Sequence, residues 1–414
     1  MINAFTWVFL LALGLATATR LWLALRQIRH VRAHRDAVPR TFAEAIPLGA
    51  HQKAADYTVA KERLGIFDTL LDVVVVLLLT LGGVLQWLID QWVQLVPVSS
   101  LWHGIALIAT ALILRTVISL PLTLYRVFVI EERFGFNRMT WRLFLVDLAK
   151  GLAVAVVLGA PLLLAILWLA GAAGRYWWFY VWVVLTAYSI FLHIVFPRFI
   201  SPIFNKFSPV TDAALADRVE RLLARCGFRS RGLYVMDGSK RSAHGNAYFT
   251  GLGASKRIVL FDTLVSRLQP PEIEAVLAHE LGHYKLRHIT KALILRSALS
   301  LLLLFVLGAL AGQQWFYEGL GVRTPAFAVA LILFLLVAPA FMFILEPVMS
   351  LYSRKNEFEA DQYAVSHAEA AELIAALVKL YKDNAATLTP DPLHSAFYDS
   401  HPPAANRIAR LKTT

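Results

Sequence analysis

GLAVAVVLGAPLLLAILWLAGAAG, residues Gly151–Gly174, runs without a single charged side chain. A helix needs about 20 mostly apolar residues to cross a hydrocarbon core about 30 Å thick, so this stretch predicts a membrane span. Working outward, six more segments read the same way: Ile2–Thr19, Val73–Ile89, Gly104–Tyr125, Tyr176–Pro197, Ser297–Tyr317 and Thr324–Leu345. The composition agrees. Of 414 residues, 58% are apolar and only 16% charged, and the mean hydropathy is +0.60; soluble domains usually carry about a quarter of charged residues. A soluble globule, a disordered chain and a collagen-like rod are excluded. The first segment has no basic residue ahead of it, which predicts an anchor in place of a cleaved leader.

Loop charge gives an orientation, because cytoplasmic loops collect Lys and Arg. After the first segment come Arg20, Arg26, Arg29, Arg32, Arg35, Arg40, Lys53, Lys61 and Arg63, whereas the loop 90–103 has neither. Arg126, Arg133, Arg138, Arg142 and Lys150 follow the third segment, and the next two outer turns hold only Arg175 and Arg323. The alternation predicts an outside N-terminus, with segments 198–296 and 346–414 both cytoplasmic. The chain then divides into a membrane part (1–197), a catalytic unit (198–296), a transmembrane hairpin (297–345) and a C-terminal segment (346–414). The net charge, 40 − 28 = +12, reads as loops facing an anionic leaflet and its lipids, with no nucleic-acid footprint. A lone cysteine, Cys226, excludes an internal disulfide and any multi-cysteine metal site.

Within 198–296 the pattern predicts an irregular opening from Phe196 to Pro209, an amphipathic helix over Asp212–Cys226, and a strand at Leu233–Met236. A hairpin should pair Ala247–Thr250 with Arg257–Phe261, with Gly251-Leu252-Gly253 as its turn and not a phosphate loop. Pro270-Pro271-Glu272 opens a helix carrying Ala278-His279-Glu280-Leu281-Gly282-His283-Tyr284. Residues four apart share a helix face, so His279 and His283 can hold one zinc ion. Glu280 lies about 100° round the helix and is free to act as a base. In such sites the metal brings water toward a pKa of about 7 and the carboxylate removes the proton. Chance spacing is the bland reading, but unmetallated histidines and a glutamate buried together would each need other partners.

Catalytic zinc takes three protein ligands. A third histidine ten residues after His279 is ruled out, since that position is Ile289. His288 lies on another face of a helix extended to 290 and reads as solvated or capping. Glu318 falls on the far side of the membrane. The charged run Ser353–Asp361 offers Glu357 and Asp361 on one face, one to ligate and one to orient a histidine, with Glu359 about 200° away. Glu346 and Glu359 are the alternatives. His401 and Arg354 are candidate donors to a developing oxyanion, and Asn246-Ala247-Tyr248 could line an extended peptide by strand addition.

Further blocks join this motif: Val129-Ile130-Glu131-Glu132-Arg133-Phe134-Gly135-Phe136-Asn137, Asn205-Lys206-Phe207, residues 246–251, residues 256–264, residues 353–361, and His401-Pro402-Pro403 with Arg407. The ordered set resembles the integral-membrane zinc metallopeptidase family, specifically its type I CAAX prenyl protease branch, over nearly the whole chain. The resemblance implies a predominantly α-helical membrane protein, with seven transmembrane helices around an intramembrane chamber and a small α+β zincin-like catalytic unit on the cytoplasmic side. It implies one zinc ion held by His279, His283 and Glu357, with Glu280 as general base. Asp361 would support a ligand or donate a proton, and His401, Arg354 and Asn246 would contact substrate or oxyanion. The implied substrate is a peptide or prenylated protein C-terminus of the C-a-a-X type. Arg115, inside the third segment, fits a chamber, since an intramembrane charge should face water or a partner. The ending Lys412-Thr413-Thr414 has no di-lysine retrieval signal and the outer loops are short, which gives the expectation of a bacterial inner-membrane member. Two rival readings are a heat-shock-type quality-control protease with the same chemistry, and a transporter or scaffold with a structural zinc. The second would want a fourth ligand and leave Glu280 without a task.

Overall fold

A computed structural model describes residues 2–228, 232–250 and 257–413. Helix α1 (Ala4–Ala33) starts at Asn3, which exchanges hydrogen bonds with Thr6 and so satisfies free N–H groups of the first turn. It packs along α2 (Leu48–Leu79). The segment expected to span from Val73 to Ile89 is not one helix. At Leu79 α2 stops, and α3 (Val84–Val93) leaves at a 49° bend. Between them Gly83 holds φ 77°, a conformation glycine adopts without a Cβ penalty. Helix α4 (Leu101–Tyr125) continues through a π-helical turn to Glu131. Then come α5 (Trp141–Ala172) and α6 (Trp177–Val195), the latter continuing through a second π turn into α7 (Ser201–Phe204).

Among the described residues six helices are long and apolar enough to cross a membrane, and α2 with α3 makes a seventh if the bent pair is one span. The helices outrun the apolar windows because hydropathy marks only the part facing lipid, while capping signals lie further along. Phe9, Leu85, Leu107, Tyr317 and Val329 converge in the core of this bundle. Trp7, Leu112, Val157 and Leu335 stay exposed on its outside, where lipid is the natural solvent.

The extramembrane unit begins with β1 (Phe207–Pro209), followed by α8 (Ala213–Arg225), β2 (Leu233–Met236), β3 (Ala247–Thr250), β4 (Arg257–Phe261), α9 (Asp262–Val265) and α10 (Pro270–Lys285). The sheet order is β1-β2-β4-β3. The expected hairpin pairs antiparallel, Ala247 opposite Leu260, and β2 joins β4 in parallel, Leu233 opposite Ile258. The anticipated turn Gly251-Leu252-Gly253 lies outside the described residues. Strand β1 falls in the stretch read as irregular; it is three residues long and ends in Pro209, which suits only a sheet edge.

The chain then returns to the membrane through α11 (His288–Leu310) and α13 (Phe327–Met342), with the short α12 (Gln314–Gly319) between them. A 3-10 turn carries α13 into α14 (Glu346–Val365), and α15 (Ala370–Asp383), α16 (Pro392–Tyr398) and α17 (Ala404–Leu411) close the fold. A second core holds the unit together: Leu215 and Leu222 from α8, Ile258 and Leu260 from β4, Leu277 and Leu281 from α10, Ala376 from α15. The Glu131–Asn137 block docks this unit on the bundle. Phe136 stacks on His244 with ring centres 4.3 Å apart. Arg241 grips both carboxylate oxygens of Asp147 at 2.7 and 2.9 Å, and also donates to Asn205 and the Phe204 carbonyl.

Between α1, α2, α4, α13 and α16 lies a cavity of about 580 Å³ whose lining includes Arg20, Glu62, Asp68, Asp72, Arg115 and Glu346. Arg115 therefore faces this space, 3.7 Å from Asp72, as expected of an intramembrane charge.

Candidate active site

The helix carrying the His-Glu-x-x-His motif is fixed at its start by Pro270 and Pro271 and by a Gln269–Glu272 capping box. Its apolar face, Ile273, Leu277 and Leu281, is fully buried. Gly282, inside the motif, lies against α14: a Cβ there would stand 3.0 Å from the Ala360 Cα and 3.1 Å from its carbonyl oxygen. That close approach brings Glu357 to the two histidines. His279 Nε2 and His283 Nε2 are 3.2 Å apart, and the Glu357 oxygens lie 3.2 Å from His283 Nε2 and 3.5 Å from His279 Nε2. Among the described residues, these three form the group whose donor atoms gather closely enough to hold a metal ion.

The proton positions decide whether a cation fits. Asp361 Oδ1 lies 2.8 Å from His279 Nδ1, and a carboxylate accepts, so the proton sits on Nδ1. The Nε2 of His279 is left as a bare lone pair pointing at a carboxylate and a second imidazole. Such a cluster is repulsive without a positive charge in its middle. Tetrahedral sites with bonds of about 2.0–2.1 Å have donor–donor edges of about 3.3–3.4 Å; the two Nε2 atoms stand close to that separation, and each has its own Glu357 oxygen at a similar distance, Oε2 for His279 and Oε1 for His283. The electrostatics agree. Burial opposes charge on His279, but the hydrogen-bonding carboxylates of Asp361 and Glu357 overcome it and raise its pKa to about 9, so the surroundings favour a positive charge at this point, which a cation on Nε2 would supply in place of a second proton. The residues present fit a divalent metal.

Glu280 stands half-buried beside this triangle, with no hydrogen bond or ion pair to any described residue. Burial pushes its carboxyl up from the ordinary range, partly offset by His279 and His283. Asp361 is buried and clamped by Arg407, Nε at 2.8 Å and Nη2 at 2.5 Å. His401 is mostly exposed, with Nδ1 2.6 Å from Glu357 Oε2. Arg354 is turned elsewhere: its Nη1 donates to the carbonyls of Ser395, Ala396 and Asp399 and so caps the end of α16. Asn246 is exposed at the start of β3, and its Oδ1 accepts from the Ala247 amide. Glu346 is remote from the triangle and pairs with Arg20 at 2.7 Å.

Two groups take parts at the site that the sequence did not give them. His288 is neither solvated nor on the motif helix. Helix α10 ends at Lys285, Arg287 turns left-handed at φ 58°, and His288, only 4% exposed, comes back against His283 with their Nδ1 atoms 3.0 Å apart. Its Nε2 meets Glu359 at 3.1 Å. Arg407 is the other, 6% exposed and 46 residues from the carboxylate it clamps. No spacing rule links positions so far apart.

Comparison with known proteins decides the lineage of this arrangement. Residues 209–414 match the model described as peptidase family M48, and residues 27–206 match "CAAX prenyl protease N-terminal, five membrane helices". The chain belongs to peptidase family M48. This M48 chain is 32% identical to a CAAX prenyl protease 1 homolog of Arabidopsis thaliana, over 94% of its own length and 93% of the relative's. It is 38% identical to CAAX prenyl protease 1 of Saccharomyces cerevisiae, covering 72% of this chain and 69% of that one. The crystal structure of S. mikatae Ste24p superposes with a TM-score of 0.91 at 31% identity, covering 99% of each chain. As a member of M48 with these spans, the protein is a multi-pass membrane metallopeptidase.

Proposed function

We propose that this M48 peptidase is a zinc metalloendopeptidase that cuts prenylated C-a-a-X proteins or peptides near the C-terminus. The observation that carries the reading is the triangle of His279 Nε2, His283 Nε2 and a Glu357 oxygen, with the unpaired carboxylate of Glu280 next to it. Zinc held by His279, His283 and Glu357 supplies Lewis acidity toward a carbonyl oxygen and toward water. Glu280 takes the proton from the attacking water and returns it to the leaving amine nitrogen. Its raised pKa suits a group that must both accept and release a proton. Asp361 holds the Nδ1 proton of His279 and so keeps Nε2 turned inward. His401, exposed beside Glu357, would donate to the oxyanion as charge develops. Among the described residues β3 is the outer strand of its sheet and pairs with β4 alone. Its free edge at Asn246 can therefore take an extended peptide as an added strand. Arg354 acts indirectly, by holding α16 in place through the carbonyls of Ser395, Ala396 and Asp399.

The isoprenoid of such a substrate would lie in lipid among the spans. With N-terminus outside and the catalytic unit in the cytoplasm, the peptide arrives from the side where C-a-a-X proteins are made. The division at 197, 296 and 345, and residence in a bacterial inner membrane, belong to the same proposal. Only three ligating groups meet among the described residues, which favours a catalytic site over a closed structural one.

The test uses purified protein with a farnesylated C-a-a-X peptide and its unprenylated form, each with and without chelator. Cleavage should favour the farnesylated peptide, stop on chelation and return with added zinc. Activity indifferent to the chelator would overturn the metal mechanism. Equal cleavage of both peptides would replace the prenyl-protein reading with a quality-control one.

A further inference from the structure

We propose that His288 and Glu359 form a hydrogen-bond relay that positions His283, so that its Nε2 faces the metal. Glu359 can only accept, so the 3.1 Å contact puts the His288 proton on Nε2. His288 Nδ1 is then an acceptor, and the Nδ1 atom of His283, 3.0 Å away, must be the donor. His283 Nε2 is left as the lone pair facing His279 and Glu357. One partly exposed carboxylate thus fixes the tautomer of two imidazoles in series. The backbone is bent to make this possible: Arg287 occupies the left-handed region at φ 58° without being glycine, a conformation that persists only where the surroundings over-determine it. That reversal separates α10 from α11 and brings His288 back under His283. Helix α14 serves both sides of the site, since Glu357 reaches the metal triangle directly while Glu359, two residues on, reaches it through His288. The two histidines are therefore held by unlike partners: His279 by the buried Asp361–Arg407 pair, and His283 by a relay whose outer end, Glu359, is about a third exposed.

This assignment rests on a metal occupying the His279–His283–Glu357 site, and its test separates the two. Full-length wild type, Glu359→Ala, His288→Phe and the double variant are stripped of metal, and zinc affinity is measured by competition with a chromophoric chelator. Melting of the stripped proteins is followed in parallel. Each single change should weaken zinc binding about ten- to a hundredfold, while the stripped Glu359→Ala protein, which loses the acceptor at the outer end of the relay, melts like wild type. The double variant should lose no more than His288→Phe alone, and raising zinc to saturation should restore kcat in Glu359→Ala. Unchanged zinc affinity in Glu359→Ala, or losses that multiply in the double variant, would sink the relay. If His288→Phe fails to fold, the zinc affinity of Glu359→Ala decides by itself. Wild type that takes up no zinc would sink the metal reading and the relay with it. Zinc uptake without peptide cleavage would count against the proposed function and leave the relay standing.

Discussion

Glu280 and Arg407 show how differently two charged residues at one site can be used. Glu280 has no partner to lose among the described residues, so Glu280→Gln should leave zinc content and melting unchanged. It should lower kcat about a hundred- to ten-thousandfold, the usual worth of a positioned base; full activity in a zinc-loaded Glu280→Gln protein would refute the assignment. Arg407 is the opposite case. It neutralises Asp361 in a buried pair, and Arg407→Ala would strand that carboxylate, costing about 3–5 kcal/mol. Denaturant titration of the metal-free protein should show the loss, and Arg407→Lys should recover only part of it, because an ammonium cannot reproduce the two-nitrogen fork. The same contrast explains what could be read in advance. His279, Glu280 and His283 follow from helical spacing, and Glu357 with Asp361 from another four-residue interval. His288 was misread because the helix was carried through to residue 290. Its true end depends on Arg287 turning left-handed, and no glycine or proline announces that turn. Arg407 is brought to Asp361 by tertiary folding alone.

At the scale of elements, the site depends on how closely α10 and α14 approach, and Gly282 sets that distance. Gly282→Ala would push a methyl group against Ala360 backbone atoms at 3.0–3.1 Å, forcing the helices apart by a few tenths of an ångström. Overpacking of this kind typically costs about 1–3 kcal/mol. Here it should also loosen Glu357 from the two histidines, so zinc affinity and melting temperature should fall together. A Gly282→Ala protein with wild-type zinc affinity would show that α14 can yield without disturbing the site. The second junction is the Arg241–Asp147 fork between the extramembrane unit and α5. Charge-assisted, two-pronged bonds of this kind are among the stronger ones. Arg241→Ala should therefore destabilise by about 2 kcal/mol and speed proteolysis in the connection around Val210, measured on detergent-solubilised protein. Apolar runs located the spans well, because lipid demands them. They did not show the break inside the second, where Gly82-Gly83 separates α2 from α3, since hydropathy alone does not register a bend. Strand β1 escaped notice for a related reason: three residues are too few for a period of two to show.

The molecule as a whole carries +12, yet the cavity among its spans gathers four carboxylates, Glu62, Asp68, Asp72 and Glu346, against two guanidiniums, Arg20 and Arg115. The positive charge lies mainly on the loops and units assigned to the cytoplasm, and this makes the topology testable. The proposed orientation places Arg32 in the cytoplasm and Arg323 outside, a separation that rests on loop charge and on nothing in the packing. The single native cysteine, Cys226, is 5% exposed, so introduced thiols can be labelled over a low background without removing it. Arg323 suits replacement because its side chain is 80% exposed and its contact with Asp90, at 3.9 Å, is a surface pair worth little to stability. In sealed right-side-out vesicles an impermeant maleimide should modify Arg323→Cys at once and Arg32→Cys only after lysis. Modification of both before lysis would remove the sidedness argument, and with it the proposal that substrate reaches Glu280 from the cytoplasm. The metal triangle would be untouched by that result, because its geometry does not depend on which compartment it faces.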